Sequence, residues 1–486
     1  MTPRTITPGD LTGAATELIA RGHRLALMSA HQQARGFGVV YLFTAPGLDH
    51  TELHLHLPPD DPTLPSLARV SFPAGRFERE IRDLYGITPL DHPQPRRLVR
   101  HHHWPRGWYP MRADAGPPPA FGDPEGPFPF LTVEGPGVYE IPVGPVHAGL
   151  IEPGHFRFSV VGETVLKLKA RLWFVHKGIE KLFQGRAPAD ALPLAERVSG
   201  DTSVGHALAY CLAVEEATGT AVPEEARSAR AILLELERLY NHVTDLGALC
   251  NDVAHGILHA HAGRVREQLL RINDEVTGHR LLRGGVILGG AALRALPDPA
   301  RLAAIGADVA EIVELALSHT VVADRFTGTA LLRFEAARDL GTLGYVARAS
   351  GFDADARRDH PSADLGSFTP ALRTGGDVLA RFQIRADEIA ASIALISWLV
   401  SRSASGRSTP PSTDRPASGV GIAEGWRGTI VHRVELAPDG TLARVKIVDP
   451  SFFNWPALPV ALDGAIVPDF PLVNKSFNLS YAGNDL

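Results

Sequence analysis

Two short stretches place small polar residues at the spacing of a soft-metal site. In "LAERVSGDTSVGHALAY", from Leu194 to Tyr210, Ser199 and Thr202 stand three apart, and in the tail "NKSFNLSYAGNDL" Ser480 and Gly483 repeat that spacing. Thiolates at such positions hold nickel, zinc or iron-sulfur clusters, whereas a serine hydroxyl stays protonated near neutral pH and glycine offers no side chain. The chain of 486 residues has two cysteines, Cys211 and Cys250, both in apolar stretches, and no Cys-x-x-Cys. A thiolate-bound metal is therefore not expected, and two thiols leave no disulfide framework, in keeping with a reducing compartment. Three further groups could handle protons: His155, in the same Gly/Pro-rich segment as His147 ("GPVHAGLIEPGHFRF"), Glu180 in "HKGIEKLFQGR", and Asp201 between the two hydroxyls. Each also has a plainer role. A histidine in such a turn serves as a hydrogen-bonding loop residue, Glu180 as half of a solvated ion pair with Lys177 or Lys181, and Ser199, Asp201 or Thr202 as caps for the apolar helix that follows.

The elements that must position these groups fall into two modules. Up to residue 112, short runs such as "RLALMSAH", "FGVVYLFTA" and "TELHLHLP" read as strands, giving a small α+β module. Residues 113–137, "ADAGPPPAFGDPEGPFPFLTVEGPG", carry Pro and Gly at a density that stops any periodicity and read as an extended connector. Residues 138–486 are mostly helical with peripheral strands. "PEEARSARAILLELERLYNHVTDLGAL" keeps Ile232, Leu233, Leu236, Leu239, Val243 and Leu246 on one helical stripe, with Pro223, Glu224 and Glu225 at its start. "DVLARFQIRADEIAASIALISWLV" predicts a second long helix, Ser401 to Gly419 a loop, and "GTIVHRVELAPDGTLARVKIVDP" a hairpin turning at Pro438 to Gly440.

Composition excludes several partners. Lys+Arg 48 against Asp+Glu 54 gives a net charge of −6, and the one basic cluster, "PRRLVRHHHWPR", is too short for a nucleic-acid stripe. The N-terminus lacks the charged start and apolar run of a secretory signal, so the expected location is cytoplasmic. The apolar run Ile389 to Val400 is shorter than the roughly 20 residues of a membrane-crossing helix.

Taken in order, "GPVHAGLIEPGHFRF", "HKGIEKL", "ERVSGDTSVGHALAYCLAVE", "ELERLYNH", "TGHRLLRGGVILGG", "GDVLARFQIRADEI" and "VKIVDPSFFNWPAL" resemble the large subunit of membrane-bound nickel-iron hydrogenases of the formate hydrogenlyase (hydrogenase-4) type and its relative, the 49 kDa subunit of complex I. "FEREIRDLYGITPLDHPQPRRL", from Phe77 to Leu98, resembles the 30 kDa subunit of complex I, and fusion of the two is itself a feature of these families. The resemblance implies that Ser199, Thr202, Ser480 and Gly483 occupy the four nickel-ligand positions, that metal is absent, and that no C-terminal extension is removed after "SYAGNDL". It implies a subunit of a membrane-associated NADH-quinone oxidoreductase-like or hydrogenase-like complex, inactive alone, peripheral on the cytoplasmic side, with a small iron-sulfur subunit and antiporter-like membrane subunits as partners. No cofactor would be bound by this chain, the iron-sulfur clusters lying in partners, and quinone would be a candidate substrate. His155 would correspond to the histidine that bonds the quinone, while Gly200 stands where the family's quinone-binding tyrosine is found; Tyr210 lies ten positions further on. Two other expectations are a non-catalytic scaffold in an ion-translocating complex and, opposed by the thiol count, an active nickel hydrogenase.

Overall fold

Alternation of apolar and polar positions in the N-terminal segment builds a four-stranded sheet from β1 (Arg4–Ile6), β2 (Arg24–Gln33), β3 (Gly36–Thr44) and β4 (Thr51–Leu57), in the order β1-β4-β3-β2. β1 is parallel to β4 and the other pairs are antiparallel. The protein is described by a computed structural model covering residues 3–47, 50–122, 126–149, 151–402 and 418–486. Helices α1 (Leu11–Ala20) and α2 (Phe72–Tyr85) pack on β2, and α2 ends on Gly86 in the left-handed region that only glycine adopts freely.

The described part of the connector contains no helix or strand until β5 (Val138–Val143), yet it is not a free tether, since Phe130 lies against the His155 ring and Phe128 under Arg171. β5 pairs with β6 (His155–Val161), which pairs with β7 (Thr164–Arg171), all antiparallel. The helical body follows: α3 (Ser203–Thr218), α4 (Glu224–Asp252), α5 (Gly256–Thr277) and α6 (Val378–Arg402) are its long buried members around the site. α4 and α6 are the two helices expected from periodicity, and α4 starts at Pro223 and the acidic pair.

A further sheet, antiparallel throughout, of β8 (Ser418–Gly425), β9 (Gly428–Leu436) and β10 (Leu442–Val448), carries the expected hairpin in its last two strands. The loop expected over Ser401 to Gly419 is corrected at both ends: Ser401 and Arg402 finish α6, Ser418 and Gly419 open β8, and 403–417 lie outside the described residues. β8 lies directly on α3, which glycine permits: a Cβ at Gly421 would sit 1.8 Å from the Ala209 carbonyl oxygen.

One continuous cluster of buried apolar side chains spans both modules. Phe77 of α2 stacks on Phe452 with ring centroids 4.5 Å apart, and charged pairs cross the same boundary, Glu52 with Arg433 at 2.7 Å and Glu80 with Lys446 at 2.6 Å. The fold is thus the mixed α+β arrangement expected, with the helical body dominant.

Candidate functional site

The turn before α3 and the turn before the final short helix, Tyr481–Asp485, meet in the interior. Their hydroxyls touch: Ser199 Oγ and Ser480 Oγ are 2.8 Å apart. Ser480 also accepts the Gly483 N–H at 2.8 Å, so it caps the helix it begins, and Ser199 donates to Asp201 at 3.0 Å. Thr202 does not cap α3 with its side chain; it donates to Asp201 at 3.1 Å and accepts from the Trp426 indole at 3.1 Å. The capping is done from outside the helix, by Glu237 of α4, whose carboxyl accepts the Val204 and Gly205 N–H groups at 2.7 and 2.9 Å.

Asp201 is clamped by Arg427 through two bonds of 2.6 and 2.7 Å. Burial pushes the Asp201 carboxyl up, but the Arg427 charge and the bonds from Arg427, Ser199 and Thr202 outweigh it and hold the group down at about 2. Its backbone oxygen accepts from Asn241 at 2.9 Å and Trp426 at 3.0 Å. At Glu237 burial prevails: it drives the carboxyl to about 8, more than its two backbone bonds can lower it. Glu237 is thus the group beside this turn whose charge changes near neutral pH.

Beneath Gly483 runs a buried chain, Asp449–His206–His432, with links of 3.0 Å each. Burial holds His432 well below the ordinary imidazole range, so it is neutral, while the Asp449 carboxyl is ionised, burial being outweighed by its bonds and His206. The ionised Asp449 accepts a hydrogen bond from His206 Nε2, and His206 Nδ1 shares a proton with His432 Nε2. His432 Nδ1 ends the chain, buried and without a hydrogen-bond partner among the described residues.

The other sequence candidates lie elsewhere. Glu180, on the short helix Ile179–Phe183, is buried and bonded to Arg444 at 2.7 Å and the Ile447 N–H at 3.0 Å, with Lys446 at 3.1 Å. The solvated pair with Lys177 or Lys181 is therefore replaced by a buried one, and although burial pushes the carboxyl up, the two cations hold it well below the usual range. His155 opens β6 and contacts the Gly144 carbonyl through Nδ1 at 3.1 Å, and His147 contacts the Gly154 carbonyl at 2.7 Å. Its link to the Ser480 turn is through its neighbour, because a Cβ on Gly154 would lie 2.5 Å from the Tyr481 ring. Tyr210 is buried and donates to the Pro188 carbonyl at 2.8 Å. Gly200 faces open space, with nothing within 4 Å of where a Cβ would be.

The donor set does not fit nickel. Two hydroxyls bond each other, the third is held by Trp426 and Asp201, and a Cβ at Gly483 would come within 2.5 Å of the Asp449 carboxyl carbon, so that carboxylate fills the fourth position. Sequence reading named the four degenerate positions and Asp201 but missed Arg427, Trp426, Glu237, His206, His432 and Asp449. His206 sits in the same quoted stretch as Ser199, seven residues on, and Glu237 is one of several buried charged residues of α4, with Glu235, Arg238 and Asp245; Arg427, His432 and Asp449 carry no local signal.

Residues 5–119 match the model of the respiratory-chain NADH dehydrogenase 30 kDa subunit, 252–418 that of its 49 kDa subunit, and 177–251 that of nickel-dependent hydrogenase. Hydrogenase-4 component G of Escherichia coli K12 is 34% identical over 426 residues, covering 84% of this chain and 73% of the relative. The chain belongs to this family of large subunits shared by complex I and membrane-bound hydrogenases. Formate hydrogenlyase subunit 5 of the same organism is 33% identical over 430 residues, covering 84% of this chain and 74% of the relative. On the complex I side, a fused NADH-quinone oxidoreductase subunit of Phocaeicola vulgatus is 30% identical over 368 residues, covering 70% of each chain. The fold matches a chain of the membrane-bound sulfane sulfur reductase, an archaeal respiratory membrane complex, with a TM-score of 0.66, 23% identity, and coverage of 72% of this chain and 99% of that one. The protein is a subunit of a complex I-like or hydrogenase-like redox complex. Among the described residues no helix is long and apolar enough to cross a membrane.

Proposed function

We propose that this subunit forms the end of the electron path in its complex, receiving electrons from a neighbouring small iron-sulfur subunit for quinone or another acceptor, with no metal of its own. The observation that carries this reading is the replacement of the metal site by a hydrogen-bonded polar lining, Ser199–Ser480 and Asp201–Arg427, which keeps the two turns together without a ligand set. Such a lining can hydrogen-bond a carbonyl acceptor but cannot bind hydride on a metal. Asp201 and Glu180 serve as fixed anions that orient Arg427 and Arg444, the proton-handling role falls to Glu237, and His155, on β6 beside Gly154, is the acceptor-bonding group. The complex sits on the cytoplasmic side of the membrane, held there by antiporter-like subunits, and draws electrons from a donor such as NADH through its iron-sulfur chain. A second reading, a non-catalytic scaffold in an ion-translocating complex, is favoured by the closed Ser199–Ser480 bond and by Gly200, which leaves a quinone half its usual contacts.

The deciding experiment is purification of the native complex carrying the wild-type chain or His155→Ala. Retained assembly with turnover lowered by about 10²-fold, the scale of one positioned acid-base group, supports the catalytic reading. Unchanged turnover in a complex of proven activity supports the scaffold, and nickel and iron near one equivalent each in the isolated chain after dialysis would overturn both.

A further inference from the structure

The basic stretch "PRRLVRHHHWPR" is left unexplained by the redox site, and its first arginine opens onto a cleft between the modules. The cleft has a volume of about 530 Å³ and is bounded by α2, the connector, β7 and the segment from Trp455 to Val460. Six cationic side chains line it, Arg76 and Arg79 from α2, Arg96, and Lys167, Lys169 and Arg171 from β7, and among the described residues no Asp or Glu does.

Their partners show an unbalanced charge. Lys169 has a carboxylate, Glu140. Arg79 spends its donors on the Arg96 and Arg97 carbonyls at 2.7 and 3.0 Å, Arg171 on those of Leu98 and Arg100, and Arg76 on the Asn484 side chain at 3.0 Å. Among the described residues none of Arg76, Arg79, Arg96 and Arg171 has a carboxylate within ion-pair distance, and Nε of Arg76 and of Arg96 is buried with no hydrogen-bond partner. Burial lowers these guanidinium groups, Arg76 and Arg171 to about 10 and Arg79 to about 9, the charges of Arg96 and Arg76 adding to burial at Arg79. Glu80, Asp83 and Asp485 oppose that fall from beyond ion-pair distance, and an anion placed among the cations offsets more of the cost of their burial. Phe128 covers the faces of Arg96 and Arg171, with the cations 5.5 and 4.6 Å from the ring centre, and Trp173 covers Arg76 at 5.6 Å, while Lys167 is exposed at the rim. Phe72, Leu131 and Trp455 supply an apolar wall beside them.

We propose that this cleft is an anion site that takes a phosphate group carried on an apolar body. The Arg96 guanidinium and the Lys167 ammonium suit a phosphate, whose oxygens accept charged donors, and the volume suits a small amphiphile rather than a polymer. The phosphate can come from an acidic lipid headgroup or from a soluble phosphate ester.

The test is calorimetric titration of the full chain with short-chain phosphatidylglycerol below its micellar concentration, inorganic phosphate, a neutral amphiphile of equal chain length, and an Asp/Glu-rich peptide. Phosphatidylglycerol binding more tightly than both phosphate and the neutral amphiphile identifies a lipid; phosphate binding as tightly as the lipid identifies a soluble ester. In either case Arg96→Gln and Lys167→Gln, both at the rim and with melting temperatures unchanged, each weaken binding by about 10-fold or more, and added salt weakens it further. Binding of the neutral amphiphile as strong as that of the lipid, binding of the peptide alone, or affinities untouched by both substitutions would overturn the proposal.

Discussion

Ser480 shows how a ligand position becomes a structural one. Its hydroxyl caps the last helix and bonds Ser199, while its backbone is held by the Ser451 hydroxyl at 3.0 Å and the Trp455 indole at 3.1 Å. At Gly483 the change is steric, since Asp449 occupies the space a side chain would need. Gly483→Ala is therefore expected to cost about 1–3 kcal/mol by overpacking, read as a lower urea midpoint with unchanged slope; a neutral substitution would show the Asp449 carboxylate free to withdraw. Glu237 governs a pH dependence. Its pKa is raised from 4.5 to about 8, so the stability it contributes is complete below 4.5, where both states are protonated, and is lost as pH rises toward 8. Glu78, driven by burial to about 7, acts in the same sense, and Asp201, held at about 2, acts oppositely, losing its contribution only as pH falls below 3.8 toward 2. Glu237→Gln removes the first slope at the expense of one acceptor for α3. The stability gap between wild type and variant should shrink from pH 5 to pH 8.5, and a gap constant across that range would show that Glu237 does not titrate there.

At the scale of elements, legibility followed periodicity. α4 and α6 announced themselves because a buried stripe at helical spacing has no other use, and β9–β10 because a Pro-Asp-Gly turn joins two alternating runs. β8 was hidden because its sequence, "SGVGIAEG", looks like a loop. Its glycines mark backbone-to-backbone approach onto α3, a tertiary requirement that no local pattern expresses. The loss of thiols was readable from four positions, whereas the network that replaced them was not, because Glu237, Arg427 and Asp449 come from three segments that only the fold brings to Ser199 and Ser480. Gly421→Ala tests the approach directly: with a backbone oxygen 1.8 Å away, no side-chain movement relieves the clash, so the loss should reach about 3 kcal/mol or more. A loss below about 1 kcal/mol would mean that β8 can lift from α3.

For the whole molecule, the two modules behave as one body because ionic groups as well as apolar ones are buried between them. Lys446 sits between Glu80 of the first module and Glu180 of the second, at 2.6 and 3.1 Å, and Arg444 completes the cluster on Glu180. Burial raises Glu80 even with Lys446 beside it, the Lys446 charge opposing and the Glu180 charge assisting the rise. Lys446→Ala leaves Glu80 facing an ionised Glu180 with no cation of its own, and breaking a buried pair in this way costs about 3–5 kcal/mol. Protonation of Glu80 relieves most of that. Because its folded pKa rises further in the variant, the remaining stability is present at low pH and lost as pH climbs, so the deficit against wild type should be larger at pH 8 than at pH 5. Adding Glu80→Gln to Lys446→Ala should recover part of the loss at pH 8 and little at pH 5. Unfolding of the full chain followed by tryptophan fluorescence and by far-ultraviolet circular dichroism should give one transition for wild type. Two separated transitions in the wild-type chain, or a Lys446→Ala deficit independent of pH, would show that the cluster does not couple the modules.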